Sequence, residues 1–159
     1  RNSTRDTYRP VNSDPMSQGT RCHQLAEYVV FTSPLNMLCD SPTHYEREQQ
    51  CTDFISGVPT VWNETRPLDG KIGEYVAIAR RHGSTWYVGA LTDWNARSLT
   101  LDLSFLGKGN FVGEVFSDGP NADKMASDYL KSEIEIPANR QLTINMTQGG
   151  GWAMKIVKK

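Results

Sequence analysis

The hydrophobic period of this chain changes once, near residue 60, and that change limits what the chain can fold into. Before it, apolar residues recur at helical spacing. Cys22, Leu25, Ala26, Val29 and Val30 fall at i, i+3, i+4, i+7 and i+8, which places them on one stripe of a helix over 20–33. Ser17 or Thr20 supplies a capping hydroxyl, and Pro34 ends the helix because it lacks a donor and restricts Ser33. The apolar run Leu35 to Cys39 is too short for a helix and reads as a short strand. Asp40-Ser41-Pro42 is a second helix start. Glu46 and Glu48 follow near the positive end of that helix, Tyr45, Cys51, Phe54 and Ile55 form a narrow stripe, and Gly57 before Pro59 closes it.

After residue 60 the period becomes two. Tyr75 to Ala79 and Trp86 to Leu91 flank a turn-rich stretch over 80–85 and predict a hairpin. Ser98 to Leu103 carries Leu99, Leu101 and Leu103 on one face. Phe111 to Phe116, Ser132 to Ile136, Gln141 to Met146 and Trp152 to Val157 continue the set. The expected class is α+β: two helices, then an all-β antiparallel sandwich of about seven or eight strands. The expected divisions are an irregular lead-in over 1–19, a helical segment over 20–59 and a β-sandwich over 60–159. Helix, short strand, helix and sandwich is also how a (β/α)8 barrel ends before an appended domain.

Composition narrows the function classes. The 159 residues carry 17 Lys plus Arg against 18 Asp plus Glu, a net charge of −1. That balance argues against a nucleic-acid partner. No apolar run approaches the roughly 20 residues of a membrane helix. The three cysteines include no CxxC pair, and His23, His44 and His82 show no metal-ligand spacing, so no metal site is expected.

The candidate substrate-binding residues are Asp40, Trp62 and Glu64. Asp40 follows the short apolar run, and the C-terminal ends of barrel strands hold functional groups; its other reading is a helix-start residue. Trp62-Asn63-Glu64-Thr65-Arg66 puts an aromatic ring, a carboxylate and a guanidinium on one extended stretch, a possible sugar contact. The alternative there is a strand-face ion pair between Glu64 and Arg66. Gly149-Gly150-Gly151 leads into a strand, so it reads as a turn rather than a phosphate loop. Asp118 to Asp123 is oxygen-rich but lacks EF-hand spacing, and also reads as a turn. No nucleophile elbow and no converging carboxylate pair is present, so no catalytic residue is assigned to this chain.

Several stretches resemble glycoside hydrolase family 97. They include Pro15 to Ala26, Ser33 to Pro42 followed by Tyr45-Glu46, Val58 to Thr65 and Leu68 to Arg80. Gly89 to Arg97, Asp118 to Asp123 and Gly149 to Ala153 continue the match, which is collinear from about residue 14 to the end. The resemblance implies a bacterial, periplasmic or secreted enzyme with a catalytic (β/α)8 barrel, active-site calcium and a C-terminal β domain. Members hydrolyse α-glucosides with inversion or α-galactosides with retention. It implies that this chain is the barrel end plus the C-terminal domain of such an exo-acting enzyme, inactive alone, with catalytic and calcium-binding carboxylates upstream and an oligosaccharide substrate reached only through the parent protein.

The expected role of this piece is bracing and subunit joining. The alternative is a non-catalytic carbohydrate-binding module using Trp62, Trp86 or Trp94. With the barrel sheet missing, the helix stripe must pack on the β domain in a rearranged way or pair between copies, and a homodimer is the simplest closed form.

Overall fold

A computed structural model describes residues 1–33 and 40–159 of the chain. The apolar run Leu35 to Cys39 lies outside the described residues. Two short strands, β1 (Asn2–Ser3) and β2 (Ser17–Gln18), pair in parallel ahead of helix α1 (Arg21–Val30). The expected second helix is two: α2 (Pro42–Arg47) and α3 (Gln49–Gly57), broken at Glu48, whose φ of −111° and ψ of 47° leave the helical region. The Oγ1 of Thr52 donates to the carbonyls of Tyr45 and Glu48 across the break, beside the backbone amides these already accept.

The strands that follow are β3 (Glu64–Lys71), β4 (Tyr75–His82), β5 (Thr85–Thr92), β6 (Arg97–Asp102), β7 (Phe111–Asp118), β8 (Tyr129–Glu135), β9 (Gln141–Met146) and β10 (Gly151–Lys158). Six form one antiparallel sheet in the order β3-β4-β5-β10-β7-β8, and β6 pairs with β9. The predicted hairpin is β4–β5. Its turn is only Gly83-Ser84, between paired His82 and Thr85, with Gly83 at φ 58°, the conformation a tight hairpin requires at its first central residue. Arg80 and Arg81 therefore belong to the strand, not the turn.

The six-stranded sheet is covered on both faces. On one face lie β6 and β9; Leu99, Leu101, Leu103, Ile144 and Met146 pack there against Trp86, Val88, Ala90, Trp152, Met154 and Ile156. On the other lie the helices; Cys22, Leu25, Ala26, Val29, Cys51 and Phe54 pack against Tyr87, Leu91, Phe116 and Ala153. The layers are helix, large sheet and small sheet. This explains why the central strands β5 and β10 read as near-continuous apolar runs while β6 and β9 alternate.

The helix stripe has a partner inside the chain. Helix α1 lies across β5 and β10, with Cys22, Leu25, Ala26 and Val29 buried there. Where it crosses, the sheet presents glycine at two positions. A Cβ on Gly89 would stand 2.9 Å from the Ala26 carbonyl oxygen and 2.9 Å from Val29 Cβ; one on Gly151 would run into the His23 backbone at Cα. Ala153 adds a third small residue to this face, beside the larger Tyr87, Leu91 and Phe116.

Gly89→Val should therefore lower stability by about 3 kcal/mol, because the obstruction is backbone and Cβ rather than a flexible tip. Thermal unfolding checks this, and a melting temperature matching the parent's would contradict the seat as described.

Candidate functional site

The N-terminus of α1 meets the ends of β7 and β10 at one half-buried carboxylate. Thr20 caps α1, its Oγ1 accepting from the His23 amide at 3.1 Å. The same hydroxyl donates to Asp118 Oδ1 at 2.6 Å. The other oxygen, Oδ2, accepts from the backbone amides of Thr147 at 3.0 Å and Gly151 at 3.2 Å. One side chain thus ties a helix cap, the last residue of β7, the loop after β9 and the first residue of β10. Around it, the Thr20 amide donates to the Gly149 carbonyl, and His23 Nδ1 lies 2.9 Å from the Gly150 carbonyl.

The three consecutive glycines are required by this junction. A Cβ on Gly149 would collide with the Trp94 ring, and one on Gly150 would collide with Asp118 Oδ2. Asp118, read from sequence as part of a turn, is an anchor, and the Gly149-Gly150-Gly151 turn is a packed seat. Burial pushes the Asp118 carboxyl above the usual range, against the opposing pull of its three donors.

The helix C-terminus is held by a residue missed in the sequence. Arg80 on β4 is 3% exposed and donates to the Val30 and Phe31 carbonyls at 3.2 and 3.0 Å. No basic residue lies in the last turn of α1, so β4 supplies the cation that the helix end favours. Trp62 lies over that guanidinium, 5.7 Å from ring centroid to Cζ, and meets Tyr87 edge-on at 5.5 Å. Assigning Arg80 to a turn hid it; its place on the helix-facing side of β4 is the signal that finds it.

The candidate sugar contacts do not converge. Trp62 covers Arg80. Glu64 on β3 pairs with Arg66 at 2.5 Å and Arg81 at 3.3 Å, and its carboxyl is held below the usual range first by the Arg66 hydrogen bond. Asp40 sits before α2, accepting from the Ser41 amide and His44 Nδ1 at 2.8 and 2.5 Å. Burial pushes its carboxyl up, and these hydrogen bonds outweigh that and hold it low. Asp40 lines a cleft of about 760 Å³ between the lead-in strands, α1, α2, α3 and the loop before β8; neither Trp62 nor Glu64 lines it. Met16, Leu25, Tyr45, Ile55 and Met125 give the cleft apolar walls.

Beside the cleft, Arg21 pairs with Glu48 at 2.5 Å and lies over the Tyr129 ring. The Tyr129 hydroxyl is pushed up to about 12, first by burial and then by its bond to Cys51. Burial likewise raises the Cys22 and Cys51 thiols, which leaves them poor nucleophiles. Among the described residues, no three His, Cys, Asp or Glu stand together as a metal site, and no helix is long and apolar enough to cross a membrane.

This architecture is found in known proteins. The family model described as glycosyl-hydrolase 97 C-terminal, oligomerisation, matches residues 61–157, from just before β3 into β10. A retaining alpha-galactosidase of Bacteroides thetaiotaomicron is 51% identical over 156 residues, 98% of this chain and 24% of the relative. A probable retaining alpha-galactosidase of Streptomyces bingchenggensis is 29% identical over 130 residues, 82% of this chain and 19% of the relative. A glycoside hydrolase family 97 enzyme from Pseudoalteromonas sp. strain K8, solved with acarbose, superposes with a TM-score of 0.83 at 34% identity, covering 89% of this chain and 23% of that one. The chain thus spans about a quarter or less of the relatives it matches.

The raised Asp118 carboxyl predicts a pH signature. Its protonated form is favoured in the folded state, so its contribution is fully present below the unfolded value of 3.8 and is lost as pH rises through the folded value. The stability gap between the parent and Asp118→Asn should shift in the parent's favour as the solution is acidified from neutral toward that unfolded value. Urea unfolding of both proteins across that range checks the sign; a shift toward the variant would show that the hydrogen bonds outweigh burial.

Proposed function

Because this chain belongs to glycoside hydrolase family 97, of which it is the C-terminal part, we propose that it completes a longer exo-acting α-glycosidase of the retaining α-galactosidase type. The observation that carries this is the 51% identity, over nearly the whole chain, to a retaining alpha-galactosidase. In such an enzyme two carboxyl groups about 5–5.5 Å apart flank the glycosidic bond, one attacking and one acting as acid and then base. No pair of that kind is assigned here, so both carboxylates belong to the part of the protein that precedes these residues. Active-site calcium and a periplasmic location are part of the same proposal. Calcium would be held upstream, since the described residues offer no three-group cluster for it.

The role of this piece is to brace the catalytic part and to join subunits, as a homodimer. The cleft beside α1, with its apolar walls, is the surface offered to the rest of the enzyme. Asp40, at that cleft, is the residue retained as a candidate near the sugar. The carbohydrate-binding alternative is less well supported, because the rings it needs are engaged: Trp86 is buried, Trp62 covers Arg80 and Trp94 lies against Gly149.

The isolated 159-residue chain should not hydrolyse nitrophenyl α-galactoside or α-glucoside, whereas the longer protein should cleave the galactoside and release the α-anomer first. Turnover by the pure chain that is lost on Asp40→Asn would overturn the assignment of catalysis upstream. A β-anomer as first product from the longer protein would overturn retention.

A further inference from the structure

The large sheet ends in two unlike edges. On β3, Pro67 lacks a donor, and the register shifts between Pro67 and Asp69, two devices that spoil an edge for pairing. On β8, seven residues pair with β7 in unbroken register from Tyr129 to Glu135, without proline, glycine or bulge. Among the described residues, no strand lies beside its outer row of backbone donors and acceptors. Leu130 is 54% exposed there.

The side chains of β8 are complementary to themselves. Run antiparallel to a second β8 about an axis through Ser132, the strand sets Lys131 opposite Glu133 of the other copy, and Leu130 opposite Ile134. The arrangement repeats on both sides of the axis, as a two-fold contact requires. The charges inside one chain leave a place for this. Across the sheet Lys155 of β10 stands opposite Glu114 of β7, and Glu114 stands opposite Glu133 of β8. Two like charges thus face each other at the last step, which is unfavourable. Lys131 pairs with Glu114 at 3.1 Å, and Glu133 makes no ion pair among the described residues. A lysine on the outer side of Glu133 would end the row with its missing cation.

We propose that β8 is the edge through which two copies of this chain join, extending the six-stranded sheet into one continuous sheet across both copies. The proposal rests on the subunit-joining role given above and names its surface and register.

Light scattering across a concentration series of the 159-residue chain tests it. Glu133→Lys should leave folding intact, since it relieves the repulsion with Glu114, yet weaken self-association about tenfold or more, because it sets two lysine pairs across the axis. Lys131→Glu should weaken association similarly. The double variant K131E/E133K restores opposite charges across the axis and should recover association. Ser132→Cys should give an interchain disulfide in oxidised glutathione, which the parent, treated alike, does not form. A chain that stays monomeric while folded would overturn both the joining role and this surface, and would make Lys131 and Glu133 guards against pairing. A dimer that is indifferent to both charge reversals, and that Ser132→Cys does not cross-link, would overturn β8 alone. Weakening by both single changes without recovery in the double variant would overturn the register.

Discussion

The close approach of α1 to the backbone of β5 and β10 sets the terms for the rest of the structure. Packing at that distance is possible only where the sheet has no side chains to insert, hence Gly89, Gly151 and Ala153 in its central strands. It also sets both ends of a ten-residue helix against the sheet, where orphan amides and carbonyls find protein partners. Thr20 and Asp118 serve the first end, and Arg80 the second. Asp118 and Arg80 both come from strands, so cap, helix and sheet are mutually dependent; of the polar groups recruited there, Thr20 and Arg80 are buried and Asp118 is half-buried.

That dependence explains an uneven electrostatic pattern. Asp118 is raised by burial although three donors point at it, and Arg80 is lowered by burial, with its Nε lacking a partner among the described residues. Carboxylates at the periphery are held low by nearby cations or amides: Glu64 first by Arg66, Asp93 first by the Asn95 amide. Perturbed groups in a cleft often mark catalysis; those inside this chain mark places where helix ends were taken out of water.

Much of the β part was legible because its sequence repeats what its environment imposes. Leu99, Leu101 and Leu103 alternate because β6 has one wet face, and all three are buried. The stripe on α1 was legible for the same reason, and Thr20 does cap the helix. The sequence did not reveal what that stripe packs against, because spacing reports a buried face without naming its partner. The break at Glu48 left no signal, since neither proline nor glycine lies there. Asp118 and Arg80 were hidden by their neighbours: an oxygen-rich run and an Arg-Arg-His-Gly run both look like turns. Their roles depend on residues 98 and about 50 positions away in the chain, beyond the reach of local pattern. Trp62 and Glu64 were singled out for chemistry that a sugar site needs, and the same chemistry makes strand-face pairs and ring-over-guanidinium contacts.

The position of β10 has a consequence for how the molecule is made. It follows β3 to β9 in sequence yet lies between β5 and β7 in the middle of the sheet. During synthesis, β3 to β5 and β7 to β8 emerge before β10 as two separate halves, each with an open inner edge. Neither half can close until residues 151–158 arrive, and the contacts they then make reach back to strands far earlier in the chain, which slows folding. A nascent chain halted before residue 151 would therefore present two sticky edges rather than a slightly frayed domain.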